Sequence, residues 1–248
     1  MKILAIDAGN TRVKWGIHDG HGWFLRGAIE TTRIGAKDAF AHVHKENVFD
    51  HIMVSNVAGA AVGNAIKDAL YDYGAPIRFI VSQAEQCGVT SRYEDVSQLG
   101  TDRWAALIAA HAVMLAAPRA QLVVMAGTAL TVDALTEQGE FLGGIIVPGL
   151  ALMRQALYRG TAQLPALSGA YQSFPRNSIN AIASGAVEAC AGAVQRMHAH
   201  LSAQLGAAPQ CIGSGGAMEV LSHHLPFPVS INENLVLDGL CEIVRAGT

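Results

Sequence analysis

Apolar residues recur along this chain with the periods of strands and helices, and that pattern lays out most of its elements. Ile3-Leu4-Ala5-Ile6 runs into Asp7-Ala8-Gly9-Asn10-Thr11, after which Val13, Trp15 and Ile17 alternate with Lys14, Gly16 and His18. An apolar run, a tight polar turn and a period-two segment predict a hairpin, not a strand-to-helix unit. Strands are expected over 2–7, 12–18 and 22–29, with Asp19-Gly20-His21-Gly22 as the second turn. A helical pattern follows over 35–47, then a strand at 51–56, a helix at 60–73 and a strand at 77–81. Polar loop residues from Ser82 to Gly100 close this half.

The second half opens with a helix over 101–117 and then repeats the earlier order. Strands are expected at 121–125, 129–135 and 139–147, helices at 149–159 and 177–205, and a short strand at 210–212. Helices near 216–224 and 233–246 end the chain. Ile6-Asp7-Ala8-Gly9-Asn10-Thr11 lines up with Val124-Met125-Ala126-Gly127-Thr128, each between a buried strand and a second strand. Set in the same strand–turn–strand–turn–strand order, the match predicts an internal duplication. Three meandering strands followed by alternating helices and strands give an α/β class with a mixed sheet in each half. The expected domains are 1–99 and 100–248, facing each other across a cleft with one glycine turn from each pointing in, as a phosphate clamp requires.

Composition narrows the function classes. The chain has 248 residues, 51% hydrophobic and 15% charged, which is the balance of a well-packed globular protein. The net charge of −3, with no run of Lys or Arg, disfavours nucleic acid as a partner. Cys87, Cys190, Cys211 and Cys241 form no CxxC pair, so structural zinc and a disulfide framework lack support. Asp7 interrupts the N-terminal apolar run before a signal-like core forms, and the apolar stretch from Trp104 to Pro118 is short for a membrane span. A cytoplasmic location with no membrane partner is the expectation.

The candidate chemistry lies in the turns. A hairpin turn such as Asp7–Thr11 can present backbone N–H groups, a hydroxyl and a carboxylate to a phosphate and its metal, although Asp-x-Gly-Asn is also ordinary turn chemistry. In Leu99-Gly100-Thr101-Asp102-Arg103-Trp104, Thr101 reads as the N-cap of the following helix, with Asp102 and Arg103 in its first turn. The helix dipole would hold Asp102 ionised as a proton acceptor. Arg103 gains nothing from a helix N-terminus, which suggests an anionic partner; a capping Asp beside a surface Arg is the plainer alternative. Val147-Pro148-Gly149 reads equally as a strand end and helix start, and Gly213-Ser214-Gly215-Gly216 as a close-approach turn or a flexible connector. No P-loop, no GxGxxG after a strand, no HExxH and no GxSxG elbow is present, and the ten histidines read as solvated.

Taken together, Asp7–Thr11, Gly100–Arg103, Gly127-Thr128-Ala129-Leu130-Thr131-Val132-Asp133 and Gly143-Gly144-Ile145-Ile146-Val147-Pro148-Gly149 resemble, in order and spacing, the motifs of the type III pantothenate kinase family. The resemblance spans nearly the whole chain. It implies two duplicated actin/ribonuclease H-like domains, each a mixed five-stranded sheet with flanking helices. It implies phosphorylation of the primary hydroxyl of pantothenate from ATP, the first step toward coenzyme A, by a homodimer that shares its substrate site across the interface. By the same resemblance Asp102 is the proton acceptor, and Tyr93, Gly100, Thr101, Arg103 and Ser178 bind pantothenate, with Ser178 reaching it from the neighbouring subunit. Asp7, Ala8, Gly9, Asn10, Thr11, Arg12, Val13 and Lys14 form the first phosphate loop, Thr128 the second, Gly215 the adenosine-side turn, and Asp7 holds the Mg²⁺ of ATP. Where the family has an aspartate ligand for a monovalent cation (K⁺ or NH₄⁺), this chain has Met125, a poor ligand for a hard cation, so little dependence on potassium is expected. A non-catalytic relative acting as an accessory factor for gene expression is the competing reading.

Overall fold

The computed structural model describes residues 1–35, 39–40, 43, 48–115, 118–160 and 169–247. In chain order its strands and helices are β1 (Ile3–Ala8), β2 (Arg12–His18), β3 (Trp23–Glu30), β4 (His51–Asn56), α1 (Ala60–Leu70), β5 (Ile77–Phe79), β6 (Glu85–Gln86), β7 (Val89–Ser91) and α2 (Thr101–Met114). There follow β8 (Gln121–Ala126), β9 (Ala129–Leu135), β10 (Glu140–Pro148), α3 (Leu150–Gly160), α4 (Ser178–Leu205), β11 (Gln210–Ser214), α5 (Met218–Ser222), β12 (Val229–Ile231) and α6 (Leu235–Arg245). Most of the strands and helices read from the apolar pattern occur within a residue or two of the expected bounds. The helix expected over 35–47 lies largely outside the described residues. Two short strands in the polar stretch after Ser82, β6 and β7, and the three-residue β12 have no periodic signal and are additions to the expected set.

Contacts divide the chain into two units, Met1–Ala116 with Asn234–Thr248, and Ala117–Glu233. The grouping does not follow the expected boundary at 99/100. Helix α2 and the C-terminal α6 belong with the first sheet, because each has a long apolar face that needs a partner. Trp104, Leu107 and Ile108 of α2 are fully buried, as are Leu235, Leu240 and Ile243 of α6. Polar ties fix α6 there as well: Trp23 Nε1 donates to Asp238 Oδ1 at 2.8 Å.

Each unit is built on the same strand order. The first sheet runs β3-β2-β1-β4-β5, and in the second unit the strands run β10-β9-β8-β11-β12. The pairing senses match as well. β1 is antiparallel to β2 and parallel to β4, and β8 is antiparallel to β9 and parallel to β11. Alternation along the strands puts Leu4, Ile6, Val13, Trp15, Ile52 and Val54 in the first core. Leu122, Val124, Leu130 and Val132 occupy the second, with Val187, Cys190 and Val194 of α4. The duplicated α/β architecture expected from the sequence is therefore present strand for strand. Among the described residues no helix is long and apolar enough to cross a membrane.

Candidate active site

In the first unit the candidate residues gather where parallel strands β1 and β4 end, the position at which open α/β sheets bind ligands. The β1–β2 turn is tight: the Gly9 N–H donates to the Arg12 carbonyl at 3.1 Å, and Thr31 Oγ1 donates to the Gly9 carbonyl at 2.7 Å. Closure at its base leaves Asn10, Thr11 and Arg12 exposed, while Ala8 and Val13 are buried in the sheet. Asp7 and Lys14 stand opposite each other in the β1–β2 register, and Asp7 is flanked on its other side by Ser55 of β4.

The second contributor is the start of α2. Gly100, not Thr101, is the N-cap, with non-helical backbone at ψ 136°, and Thr101 is the first helical residue. Thr101 lies one residue inside the helix and so is not its N-cap, and its hydroxyl pairs with Ser55 Oγ at 2.9 Å. Asp102 folds back so that its Oδ1 accepts the Arg103 N–H at 2.8 Å. A side chain at position 100 would not permit this: a Cβ there would lie 2.6 Å from Asp102 Oδ1. Glycine at 100 thus leaves the room in which the carboxylate takes this rotamer.

Electrostatics follow from burial. Burial pushes the Asp102 carboxyl above the usual carboxylate range, and the N–H and guanidinium of Arg103 oppose the rise without cancelling it. The expectation that the helix N-terminus keeps this group readily ionised is corrected accordingly; desolvation outweighs the dipole here. Asp7 is pushed up to about 7, first by burial and then by the negative charge of Asp102, with Lys14 pulling the other way. Two carboxyls that resist joint ionisation thus share the site with two cations, Lys14 acting on Asp7 and Arg103 on Asp102.

Arg103 is 3% exposed, so the plainer reading of a surface arginine does not hold. Its Nη1 donates to the Tyr93 hydroxyl at 2.9 Å, and its guanidinium carbon stands 5.6 Å from the Tyr93 ring centre. Trp104 behind it donates Nε1–H to Gln86 Oε1 at 2.9 Å, which seats β6 against the helix start. The structure therefore brings Asp7, Lys14, Tyr93, Gly100, Thr101, Asp102 and Arg103 into one network within the first unit. Ser55 and Gln86 belong to that network and were missed from sequence, because a serine at a strand end and a glutamine in a polar stretch carry no periodic signal.

In the second unit the matching turn is equally tight, with the Gly127 N–H donating to the Ala129 carbonyl at 3.0 Å and Thr128 exposed at its tip. Gly215 backs it. Its φ of +103° favours glycine, and a Cβ there would lie 2.4 Å from the Ala126 carbonyl oxygen. The 213–216 segment is thus a built close-approach turn, not a loose connector. Met125 is partly buried, with Thr131 and Ser214 as register neighbours, and the Thr131 hydroxyl is buried without a partner. Ser178 is exposed at the start of α4, where Asn177 Oδ1 accepts the Asn180 N–H at 2.8 Å.

The histidines are not uniformly solvated. His18 and His111 are buried, His198 stacks on Phe227 at 3.8 Å between ring centres, and His224 lies 4.0 Å from the Tyr171 ring.

Comparison with known proteins adds an independent line. Residues 3–200 match the family model described as type III pantothenate kinase. The type III pantothenate kinase of Aromatoleum aromaticum is 46% identical over 243 residues, 98% of each chain. That of Nitrosospira multiformis is 43% identical over 244 residues, 98% of this chain and 91% of its relative. Among solved structures, a conserved Baf family protein from Campylobacter jejuni superposes with a TM-score of 0.61 over 98% of both chains at 18% identity, a likeness of fold.

Proposed function

The chain belongs to the type III pantothenate kinase family, and we propose that its strand-end network transfers the terminal phosphoryl group of ATP to the primary hydroxyl of pantothenate, the first step toward coenzyme A. The observation that carries the residue assignment is the meeting of Asp7, Asp102, Arg103 and Tyr93 at the carboxyl ends of β1 and β4, in one electrostatic and hydrogen-bonded network.

Asp102 takes the hydroxyl proton as the pantothenate oxygen forms its bond to the γ-phosphorus. The bond from that phosphorus to the β–γ bridging oxygen breaks, and ADP leaves with the electron pair. A carboxylate whose pKa is lifted by burial holds that proton better than an exposed one, and its fixed rotamer supplies the alignment on which phosphoryl transfer depends. Arg103, held in place by Tyr93, meets the pantothenate carboxylate in a charge-assisted pair. Gly100 and Thr101 line the same pocket through the backbone at the helix start.

Asp7 through Lys14 hold the ATP phosphates, and in the second unit Thr128 and Gly215 contribute to nucleotide binding. Mg²⁺ fits the first loop. Asp7 is a hard oxygen donor beside a second carboxyl, Asp102, and a divalent ion there would lower its pKa and neutralise phosphate charge. A monovalent cation does not fit position 125, where the thioether of Met125 replaces a carboxylate. Exposed Ser178, with exposed Leu157, Tyr158 and Phe174 in the same unit, supports a homodimer in which Ser178 reaches the partner's substrate.

The test is ADP release with pantothenate against a panel of other acids and sugars. Pantothenate-dependent release is expected, with Asp102→Asn slower by at least about 100-fold. Absence of ADP with pantothenate, or full rate in the variant, would refute the assignment; the former is also the result the accessory-factor reading requires.

A further inference from the structure

We propose that Ser55 is a positioning residue for phosphoryl transfer, acting through Thr101 to fix the start of α2 and with it the Asp102 carboxyl. The inference rests on the assignment of Asp102 as the proton acceptor. Ser55 lies at the end of β4, is completely buried, and stands beside Asp7 in the parallel register of β1 and β4. Its Oγ is 2.9 Å from Thr101 Oγ1, and Thr101 is the first residue of the helix whose next two residues are Asp102 and Arg103.

Helix starts are usually pinned by a capping side chain. Gly100 has none to offer, because the space beside its Cα is filled by the Asp102 carboxylate. Asp102 satisfies the Arg103 N–H and so holds the turn to itself, but that bond does not hold the turn to the sheet. The hydroxyl pair does. It ties the helix start to β4 one strand away from Asp7, so the loop that holds phosphate and the carboxyl that accepts the proton share one anchor.

A buried serine bonded to a neighbouring threonine can also be mere core satisfaction. The two roles differ in what they do to rate. Loss of a core hydrogen bond lowers stability, whereas loss of an anchor lets the carboxyl drift, and a displacement of about 1 Å costs about 100-fold in rate. A drifting proton acceptor lowers kcat without weakening the binding of pantothenate through Arg103 and Tyr93.

The experiment measures kcat and KM for pantothenate by ADP release in Ser55→Ala, Thr101→Val, the double variant and Asp102→Asn, with thermal unfolding of each. Ser55→Ala and Thr101→Val are each expected to lower kcat by about 10- to 100-fold with KM changed less than about threefold. The double variant should be no slower than the slower single one, since both changes remove the same link. Wild-type kcat in Ser55→Ala, a loss confined to KM, or losses that multiply in the double variant would overturn the role. If Ser55→Ala does not fold, Thr101→Val, which leaves β4 intact, decides by the same split. Full rate in Asp102→Asn overturns the base assignment and the inference with it. A dead Asp102→Asn beside a fully active Ser55→Ala overturns the positioning role alone.

Discussion

The ends of β1 and β8 occupy the same place in two copies of one strand order, yet they carry different chemistry. In the first sheet the position holds Asp7, flanked in register by Lys14 and Ser55; in the second it holds Met125, flanked by Thr131 and Ser214. Buried serines stand at the equivalent strand ends in both. The duplicated backbone thus supplies two glycine turns, while the flanking side chains make only the first one charged. A fold repeated for packing reasons need not repeat its electrostatics, because core alternation constrains the apolar positions and leaves the strand ends free.

The sharpest way to break this comparison is to make the first turn resemble the second. Asp7→Met is expected to lower kcat/KM by about 1000-fold or more, measured by pantothenate-dependent ADP release, because it removes the carboxylate proposed to hold the metal of ATP. A loss under tenfold would mean the two turns are electrostatically interchangeable.

Stability should move the opposite way. The Asp7 carboxyl, raised from an ordinary 3.8 to about 7 by burial and by Asp102, keeps its proton in the folded state where the unfolded chain has lost it. Stability therefore falls as pH rises from about 4 to about 7 and stays low above that. The cost reaches up to about 4 kcal/mol. Asp7→Asn, without nucleotide or Mg²⁺, should be more stable than the wild type at pH 8 and about equal at pH 4, as read by denaturant unfolding.

The second turn is tested through its support. Gly215→Ala is expected to cost about 2 kcal/mol and to raise the KM for ATP, since both the positive φ and the Ala126 carbonyl oppose a Cβ. An unchanged melting temperature would show that this turn tolerates a shift that the backbone contacts exclude.

Met125→Asp restores the carboxylate and should make the second turn resemble the first. Potassium should then activate the variant by about fivefold while leaving the wild type within about twofold. Strong activation of the wild type would show that other oxygens meet the need.

The smallest effect concerns α2. His111 is buried with Nδ1 unpartnered, and burial lowers its pKa. The folded state then prefers the neutral ring, so stability is full above the ordinary histidine value and declines as pH falls through it. His111→Leu should remove that acid sensitivity, read as a flatter dependence of unfolding free energy on pH below the ordinary histidine value.

The apolar pattern determined the strand–turn–strand order of both halves, because alternation is a local property read directly along the chain. It also marked α2 as a buried helix and placed Asp7, Asp102 and Arg103 at turns and helix starts. It could not assign α2 and α6 to the first unit, since two long apolar faces say that a partner is needed but not which one. Nor could it decide the state of the candidate groups. The Thr101 hydroxyl pairs with that of Ser55 instead of capping, Arg103 is buried against Tyr93, the Asp102 carboxyl is raised instead of eased into ionisation, and Asp7 is raised beside it. Each of these depends on what a side chain meets from a strand or helix distant in sequence. Desolvation and hydrogen-bond partnership are properties of the assembled fold, and only the tertiary structure sets them.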